Sequence, residues 1–336
     1  MRAWQIEGAF GLDHLRLTER ERSHPGPGEV AIRIEAVALN ARDLQMVEGV
    51  YNPRQALPLV PCSDGAGVVE EVGDGVKGLV PGDRVGTTLA PSWTSGEPKR
   101  EMIRSTLGGP LDGTLEEVLV VPASGAVPIP DHLEPVEAAT LGCAGLTAWN
   151  ALVTFGGVTA GDTVLALGTG GVSVFALQFA RMLGAEVIVT SSSDEKLHRA
   201  QQLGATATIN YRKIPEWGKA VQELTGGRGV DVVVEVGGAG TLPQSIRAVK
   251  LGGTICLIGV LSARQAPVNV VPIFMRQVRL QGILVGHRES FEAMNRAVFQ
   301  HQMRPVVDRT FPFEEAPDAF RYLASAAHVG KVCIEV

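Results

Sequence analysis

The chain has 336 residues, 45% hydrophobic and 20% charged, which places it among folded globular proteins rather than disordered or fibrous ones. A formal charge of -6 lacks the basic surplus with which nucleic-acid-binding domains displace counterions, so DNA or RNA is excluded as a main partner. Its 40 glycines, about 12% against an average near 7%, call for many tight turns or close backbone approaches, and a chain this long usually divides into two domains.

The opening residues MRAWQIE carry no apolar leader core, and no uninterrupted apolar run reaches bilayer-spanning length, so the expectation is a soluble, cytoplasmic protein without a membrane partner. Up to about residue 123 the text reads as short strands cut by Gly/Pro turns: 29–38 (EVAIRIEAVA), 64–73 (DGAGVVEEVG), and 83–86 after the turn Pro81-Gly82. Residues 86–114 have no clear periodicity, and a loop of that length usually belongs to a functional surface or a mobile segment. From about Asp162 apolar strands alternate with helical stretches: DTVLAL, EVIVT, ATIN, VDVVVEV, GTICLIG and VRLQGILVG, each separated from the next by a helix or turn. Strict alternation implies a parallel, doubly wound sheet, because each parallel return needs a crossover, and six strands make a full dinucleotide-binding set. Beyond His287 the text is mixed and ends in the strand-like 331–336, which has no obvious place in that sheet and is expected to rejoin the first domain.

Gly168-Thr169-Gly170-Gly171-Val172-Ser173 follows the first apolar strand and opens a helix, the context in which a G-x-G-x-x-G pattern acquires meaning. The first glycine permits the tight turn, the second lets the backbone approach a pyrophosphate, and the helix start supplies amide donors. Ser173 replaces the third glycine with a small residue. About 20 residues on, where an acid would hold the ribose hydroxyls of NAD, stands Thr190-Ser191-Ser192-Ser193, with no acid before Asp194. Hydroxyls of Ser191 and Ser192 with the charge of Lys196 suit a 2'-phosphate, and Tyr211 and Arg212 at the end of the third strand add to the set, so NADP(H) is expected over NAD(H). The plainer reading is that the serines cap the next helix and Lys196 is a solvated charge; the two are compatible.

Cys62, Cys143, Cys256 and Cys333 contain no C-x-x-C pair, and none of the seven histidines forms an H-x-H or H-E-x-x-H pair. No G-x-S-x-G elbow and no phosphate-binding G-x-x-x-x-G-K-[ST] loop occurs, which leaves hydrolase and nucleotide-triphosphatase readings without local support.

Together with PGEVAIRIEAVALNARDL, DGAGVVEEVG, PGDRV, CAGLTAWNAL and SSSDEKLHRAQQLGA, these residues resemble the medium-chain dehydrogenase/reductase superfamily over nearly the whole chain. The resemblance implies an α/β protein: a GroES-like, β-rich catalytic domain at 1–123 and 288–336, a Rossmann nucleotide domain at 124–287, and an active site in the cleft. It places Thr147 near the nicotinamide and Gly259 and Val260 along its ribose, as the fifth strand's carboxyl end also suggests. Dimers through the apolar edge at 278–285 are implied as well.

The zinc branch of the superfamily carries Cys, a His-Glu pair and Cys as its catalytic-metal set; here the matching places hold Asn40, Ser63-Asp64 and Cys143. No catalytic metal is therefore expected, a makeshift site of Cys62, Asp64 and Cys143 being the alternative. The pattern Asn40-Ala41-Arg42-Asp43 resembles the zinc-independent quinone oxidoreductase branch, which points to Asn40 as an amide donor to a developing oxyanion, or as a helix cap, and to Tyr51 as a proton donor or pocket wall. Without a Lewis acid, hydride addition favours acceptors that yield a stabilised anion. With water and phenol as stand-ins, about six pKa units or roughly 8 kcal/mol separate an alkoxide from a phenolate. The expected function is thus NADPH-dependent reduction of an activated alkene, quinone or related carbonyl compound. An alcohol dehydrogenase with a residual metal and a non-catalytic cofactor-binding protein are the alternatives. Trp93 is a candidate rim residue and Lys331 a candidate for the cofactor phosphates or for solvent.

Overall fold

The computed structural model describes residues 1–336, beginning with strands β1 (Arg2–Ile6), β2 (Leu15–Glu19), β3 (Glu29–Leu39), β4 (Asp64–Val72), β5 (Arg84–Thr87), β6 (Val118–Pro122) and β7 (Ala126–Pro128). Six more follow, β8 (Thr163–Leu167), β9 (Glu186–Ser191), β10 (Ala207–Asn210), β11 (Val230–Glu235), β12 (Val249–Leu257) and β13 (Arg279–Gly282), before β14 (Val307–Pro312) and β15 (Lys331–Glu335) close the chain. Two compact units result, Met1–Leu146 with Gly286–Val336, and Thr147–Val285.

In the first unit β1 and β2 form a two-stranded antiparallel sheet, and the others build a seven-stranded one in the order β14-β15-β3-β4-β5-β7 with β6 also on β3. β3 organises it. Along one edge it pairs with β4; along the other its first half (Glu29 to Arg33) pairs with β6 and its second half (Ala36 to Leu39) with β15. Both faces of this central strand are buried over most of its length, at Val30–Ile32 and Ala36–Leu39, and the apolar residues of EVAIRIEAVAL gather there, while Arg33 is exposed. The tail supplies Phe311, Phe313, Phe320, Val332 and Ile334 to the core of Ile6, Ile32, Ile34, Leu39 and Met46, and Trp4 Nε1 donates to the Phe313 carbonyl at 2.8 Å. Each buried Phe contributes about 1.5–3 kcal/mol, so the terminal strand rejoins the first unit as a structural part of it.

The second unit has the strand order β10-β9-β8-β11-β12-β13, every pair parallel, with helices Gly171–Met182, Asp194–Gln202, Trp217–Leu224 and Leu242–Ala248 between successive strands. This is the doubly wound arrangement expected from the alternation. At the amino ends of the strands Asp231 anchors β11: its carboxylate accepts from the Thr163 amide, Arg228 and Lys250. Burial would raise its pKa, but these partners hold it well below the usual carboxylate range.

The boundary between the units falls at Leu146/Thr147, later than the expected 123/124. The reason is that β7, only three residues long, pairs with β5, and the helix Pro135–Ala138 packs on β3 and β4. The return at Gly286 lies close to the expected 288. One helical run, Pro135–Phe155, is long and apolar enough by length and composition to cross a membrane, unlike the expectation from uninterrupted runs, and most of it is buried inside the protein. Two widened, π-type turns interrupt it, Leu141–Gly145 and Asn150–Phe155. Loop 86–114 carries the short helix Arg100–Ile103 and is tied to the chain that follows His287. Trp93, expected at a rim, is buried, stacks edge-on against His287 at 5.6 Å, and offers its carbonyl to the Arg288 amide at the start of the helix Arg288–Gln300. All four cysteines are free and buried.

Candidate active site

β3 ends at Leu39, and Asn40 turns extended backbone (φ -125°, ψ 157°) into the helix Ala41–Val47. Asp43 Oδ2 accepts the Asn40 amide at 2.8 Å, the return half of a capping box, and Asp43 is fully buried. Asn40 is thus the N-cap of that helix, one of the two roles expected of it, and its side chain is committed to further partners. Its Nδ2 donates to Asp64 Oδ2 at 2.9 Å and to the Ala38 carbonyl at 3.4 Å, while Oδ1 accepts from Lys331 Nζ at 2.6 Å. With both amide hydrogens occupied, Asn40 is a positioning residue in this geometry rather than the oxyanion donor expected.

Lys331 reaches this place because β15 runs antiparallel to β3, with Val332 opposite Leu39. Lys331 is 3% exposed, and its ammonium bonds the Leu39 carbonyl at 2.7 Å and lies 3.8 Å from Asp64 Oδ2. Neither expected place, cofactor phosphates or solvent, describes it. Burial raises the Asp64 pKa to about 6, with Lys331 and Asn40 pulling it back down. Asp64 Oδ1 has no hydrogen bond of normal geometry, although the Cys143 amide also favours the charged form.

Arg42, one residue into the helix, is nearly as deep. Nη1 donates to the Leu107 carbonyl at 3.0 Å and lies 3.5 Å from Asp43 Oδ1, whereas the buried Nε has no acceptor. A buried N–H left unpaired costs about 1–3 kcal/mol. The guanidinium carbon sits 5.2 Å over the ring of Tyr51, which is half exposed and so is not core packing. Gly49 makes that placement possible. Its φ is +70°, and a Cβ there would stand 2.5 Å from the Phe10 ring, so the chain leaves the helix in a left-handed step that only glycine takes freely.

The third segment, Cys62-Ser63-Asp64, enters β4 through Cys62 at φ +74°, strained for a residue with a side chain. Gly113 packs so closely on it that a Cβ would fall 2.0 Å from the Cys62 carbonyl oxygen. Burial pushes the Cys62 thiol well up and the Cys143 thiol to about 12, so both stay protonated at neutral pH. No three His, Cys, Asp or Glu side chains gather into a metal-holding group.

In the second unit the expected cofactor residues line the carboxyl ends of the parallel strands. Gly168 (φ +77°) and Gly170 leave β8, and no atom lies within 4 Å of where a Cβ would stand at either, an open cradle at the start of the helix Gly171–Met182. Gly171, Val172 and Ser173 form its first turn, and Ser173 Oγ donates to the Leu167 carbonyl at 2.6 Å in place of the third glycine's close packing. Ser191 closes β9 and its carbonyl accepts the Tyr211 amide at 3.0 Å, which brings the ends of β9 and β10 together. Ser192 is half-buried, Ser193 caps the helix Asp194–Gln202 by accepting the Lys196 amide, and Tyr211 is exposed. The one nearby acid, Asp194, is turned to Asn210 Nδ2 (2.7 Å) and Lys213 Nζ (2.5 Å). Gly259 and Val260 follow β12 and pack beside Gly238. Thr147 is buried in the run Pro135–Phe155.

Sequence reasoning missed Glu235, the last residue of β11. Fully buried, it accepts from the amides of Gly237 (2.8 Å) and Gly238 (3.0 Å), from Thr241 Oγ1 (2.6 Å) and from Ser245 Oγ, and so shapes the loop that follows. Its signal was an acid at the carboxyl end of a strand, two residues before Gly237-Gly238.

Comparison with known proteins bears on both units. The model of the alcohol dehydrogenase GroES-like domain matches residues 26–131, and that of the zinc-binding dehydrogenase family matches 171–300. The chain is 43% identical to the zinc-type alcohol dehydrogenase-like protein C1773.06c of Schizosaccharomyces pombe, over 97% of this chain and 96% of that protein. A solved structure from Sinorhizobium meliloti 1021 superposes with TM-score 0.93 at 43% identity, covering 100% of this chain and 98% of that one. That of an NAD-dependent alcohol dehydrogenase does so with TM-score 0.91 at 36% identity and full coverage of both. More distant matches include the 2-haloacrylate reductase of a Burkholderia species, 30% identical over 96% of each chain, and mycobacterial Rv1454c complexed with NADPH, 28% identical, TM-score 0.84, covering 100% of both.

Zinc, which several of these names imply, is not fitted by the residues present. Asn40 gives its oxygen to a lysine, that lysine's charge stands 3.8 Å from Asp64, and no three His, Cys, Asp or Glu side chains gather there. The open glycine cradle does fit a nicotinamide dinucleotide. On the matches to both domain families, the shared strand order and the near-complete relatives, the chain belongs to the medium-chain dehydrogenase/reductase superfamily of alcohol dehydrogenase-like oxidoreductases.

Proposed function

We propose that the protein is a zinc-independent, NADPH-dependent oxidoreductase that reduces activated alkenes, quinones or related carbonyl compounds. The observation that carries this reading is the replacement of a metal-ligand set by the network Lys331–Asn40–Asp64. A fixed ammonium, an amide and a carboxylate satisfy one another there. They leave hydrogen-bond donors, rather than a Lewis acid, to stabilise negative charge on the acceptor, which suffices where the product anion is delocalised.

When bound, the reduced nicotinamide supplies hydride; the protein's part is to hold it and to exclude the wrong one. Ser191, Ser192, Lys196 and Tyr211, with Asp194 drawn to Asn210 and Lys213, make the ends of β9 and β10 receptive to a 2'-phosphate. The NADPH-complexed mycobacterial relative and the 2-haloacrylate reductase support the same direction. Absorbance assays should show turnover of quinones and enones that survives a strong chelator, with NADPH preferred over NADH by about tenfold or more, and Lys196→Ala should erode that preference. Loss of activity on chelation, together with oxidation of simple alcohols, would favour the metal-dependent alternative.

A homodimer is the expected assembly. β13 is one of the two edge strands of the six-stranded sheet, and Val271, Phe274, Met275, Leu280 and Leu284 around it are exposed. Light scattering after size exclusion should give twice the chain mass of 35.5 kDa; a mass of one chain at micromolar concentration sinks the dimer.

A further inference from the structure

The geometry points to Arg42 as the group that receives the acceptor's oxygen. This rests on the reductase reading above and names the residue and the substrate feature it selects: an oxygen conjugated to the carbon that takes hydride, as in an enone, an enoyl group or a quinone.

Asn40, which the local sequence pattern singles out, has no free donor. Lys331 is likewise committed to the Leu39 carbonyl, to Asn40 and to Asp64. Arg42 stands on the same helix turn, and among its five donors only Nη1 has a protein acceptor of normal geometry, the Leu107 carbonyl with Asp43 at the margin. Nε is buried and unpaired. That nitrogen belongs to the side-on edge with which a guanidinium grips an oxygen anion, and holding a loop carbonyl through Nη1 alone does not need it. The half-exposed Tyr51 flanks the guanidinium, its ring and hydroxyl both within interaction range, so the cation is buried on its protein side yet bordered by a residue open to a ligand. Buried polar groups in native proteins nearly always have a partner, and an orphan of this kind beside a conjugated acceptor's oxygen would gain one.

The electrons balance without a metal. Hydride adds to the far carbon of C=C–C=O and forms one C–H bond; the π pair shifts, and the charge of the resulting enolate sits on oxygen, where Arg42 donates to it. A proton from water then closes the second C–H bond and restores the carbonyl, so the acceptor gains two electrons and two hydrogens. For a quinone the same oxygen becomes a phenolate. Because the bond to Arg42 strengthens as charge develops, its effect belongs to kcat more than to binding.

The test uses the full-length protein with NADPH and, as acceptors, methyl vinyl ketone and benzoquinone. Arg42→Gln and Arg42→Lys should lower kcat by about 10²- to 10³-fold with NADPH affinity changed less than about twofold. Free guanidinium should restore part of the activity of Arg42→Ala. If Arg42→Gln fails to fold beside the buried Asp43, Arg42→Lys decides, since it keeps the charge and loses the flat fork. Folded variants with unchanged kcat overturn the proposal and leave Arg42 a structural tether of Leu107. Binding of nitrophenolate to the NADP-loaded protein separates this idea from the parent reading. If wild type turns over neither acceptor, the reductase reading fails, while weaker nitrophenolate binding by Arg42→Gln still supports the receptor and equal binding still refutes it.

Discussion

Replacing Lys331 with Met should cost about 3–5 kcal/mol of stability at pH 8 and clearly less at pH 5. The variant keeps the length and apolar stem of the side chain but removes the one full positive charge close to Asp64, leaving a buried carboxylate with Asn40 as its main side-chain partner. Asp64 has a folded-state pKa of about 6 against an ordinary 3.8, raised by burial. A carboxyl raised in this way holds a proton that the unfolded chain releases. Its favourable contribution is complete below the unfolded value and is lost as the pH rises through the folded one. Without Lys331 the folded value climbs further, so the charged form becomes more costly and the loss extends to higher pH. At pH 5 the carboxyl is mostly neutral in the fold and misses the ammonium least. Urea midpoints at the two pH values measure this; an equal loss at both would show that Lys331 acts by packing alone.

Glu235→Ala should be of similar size, about 4 kcal/mol. The change strips the acceptor from two backbone amides and two hydroxyls at once, all of them at the end of β11. Water cannot easily replace a group that is fully buried. Glu235→Gln should be milder, because Ser245 Oγ can reverse its role and accept from the new amide while the other oxygen keeps its three donors. Thermal unfolding of the three proteins ranks them. A Gln variant as damaged as the Ala variant would mean that the negative charge, rather than the pattern of acceptors, holds the loop between Gly237 and Thr241.

The second unit was legible because parallel strands covered on both faces are mostly apolar, as the runs Val232–Val234 and Val164–Leu167 are, and because a glycine loop between strand and helix has few other uses. The first unit was legible only where its strands are long. β7 is three residues, too short to show a period, and missing it moved the expected boundary from Leu146 to about residue 123. The cofactor row follows local sequence order, so its candidates could be named from the sequence alone. The catalytic region does not: the meaning of Asn40 depends on Lys331, 291 positions away, and a motif read in isolation cannot show that its amide is already spoken for. Arg42 entered the sequence reading only as part of the Asn40–Asp43 pattern, whereas its burial and idle Nε appear only once Leu107, Asp43 and Tyr51 are placed around it. Glu235 was passed over because a lone acid at a strand end gives no hint of four donors converging on it.

The divided edge of β3 sets an order of events during synthesis. Its first half finds a partner in β6 about ninety residues after leaving the ribosome, but its second half waits for β15, the last strand to be made. The nucleotide-type unit, continuous in sequence, is therefore finished while half of that edge still displays unpaired amides and carbonyls. Nascent chains of this architecture carry an adhesive seam for most of translation, and the last strand that seals it also delivers the lysine that settles Asn40 and Asp64.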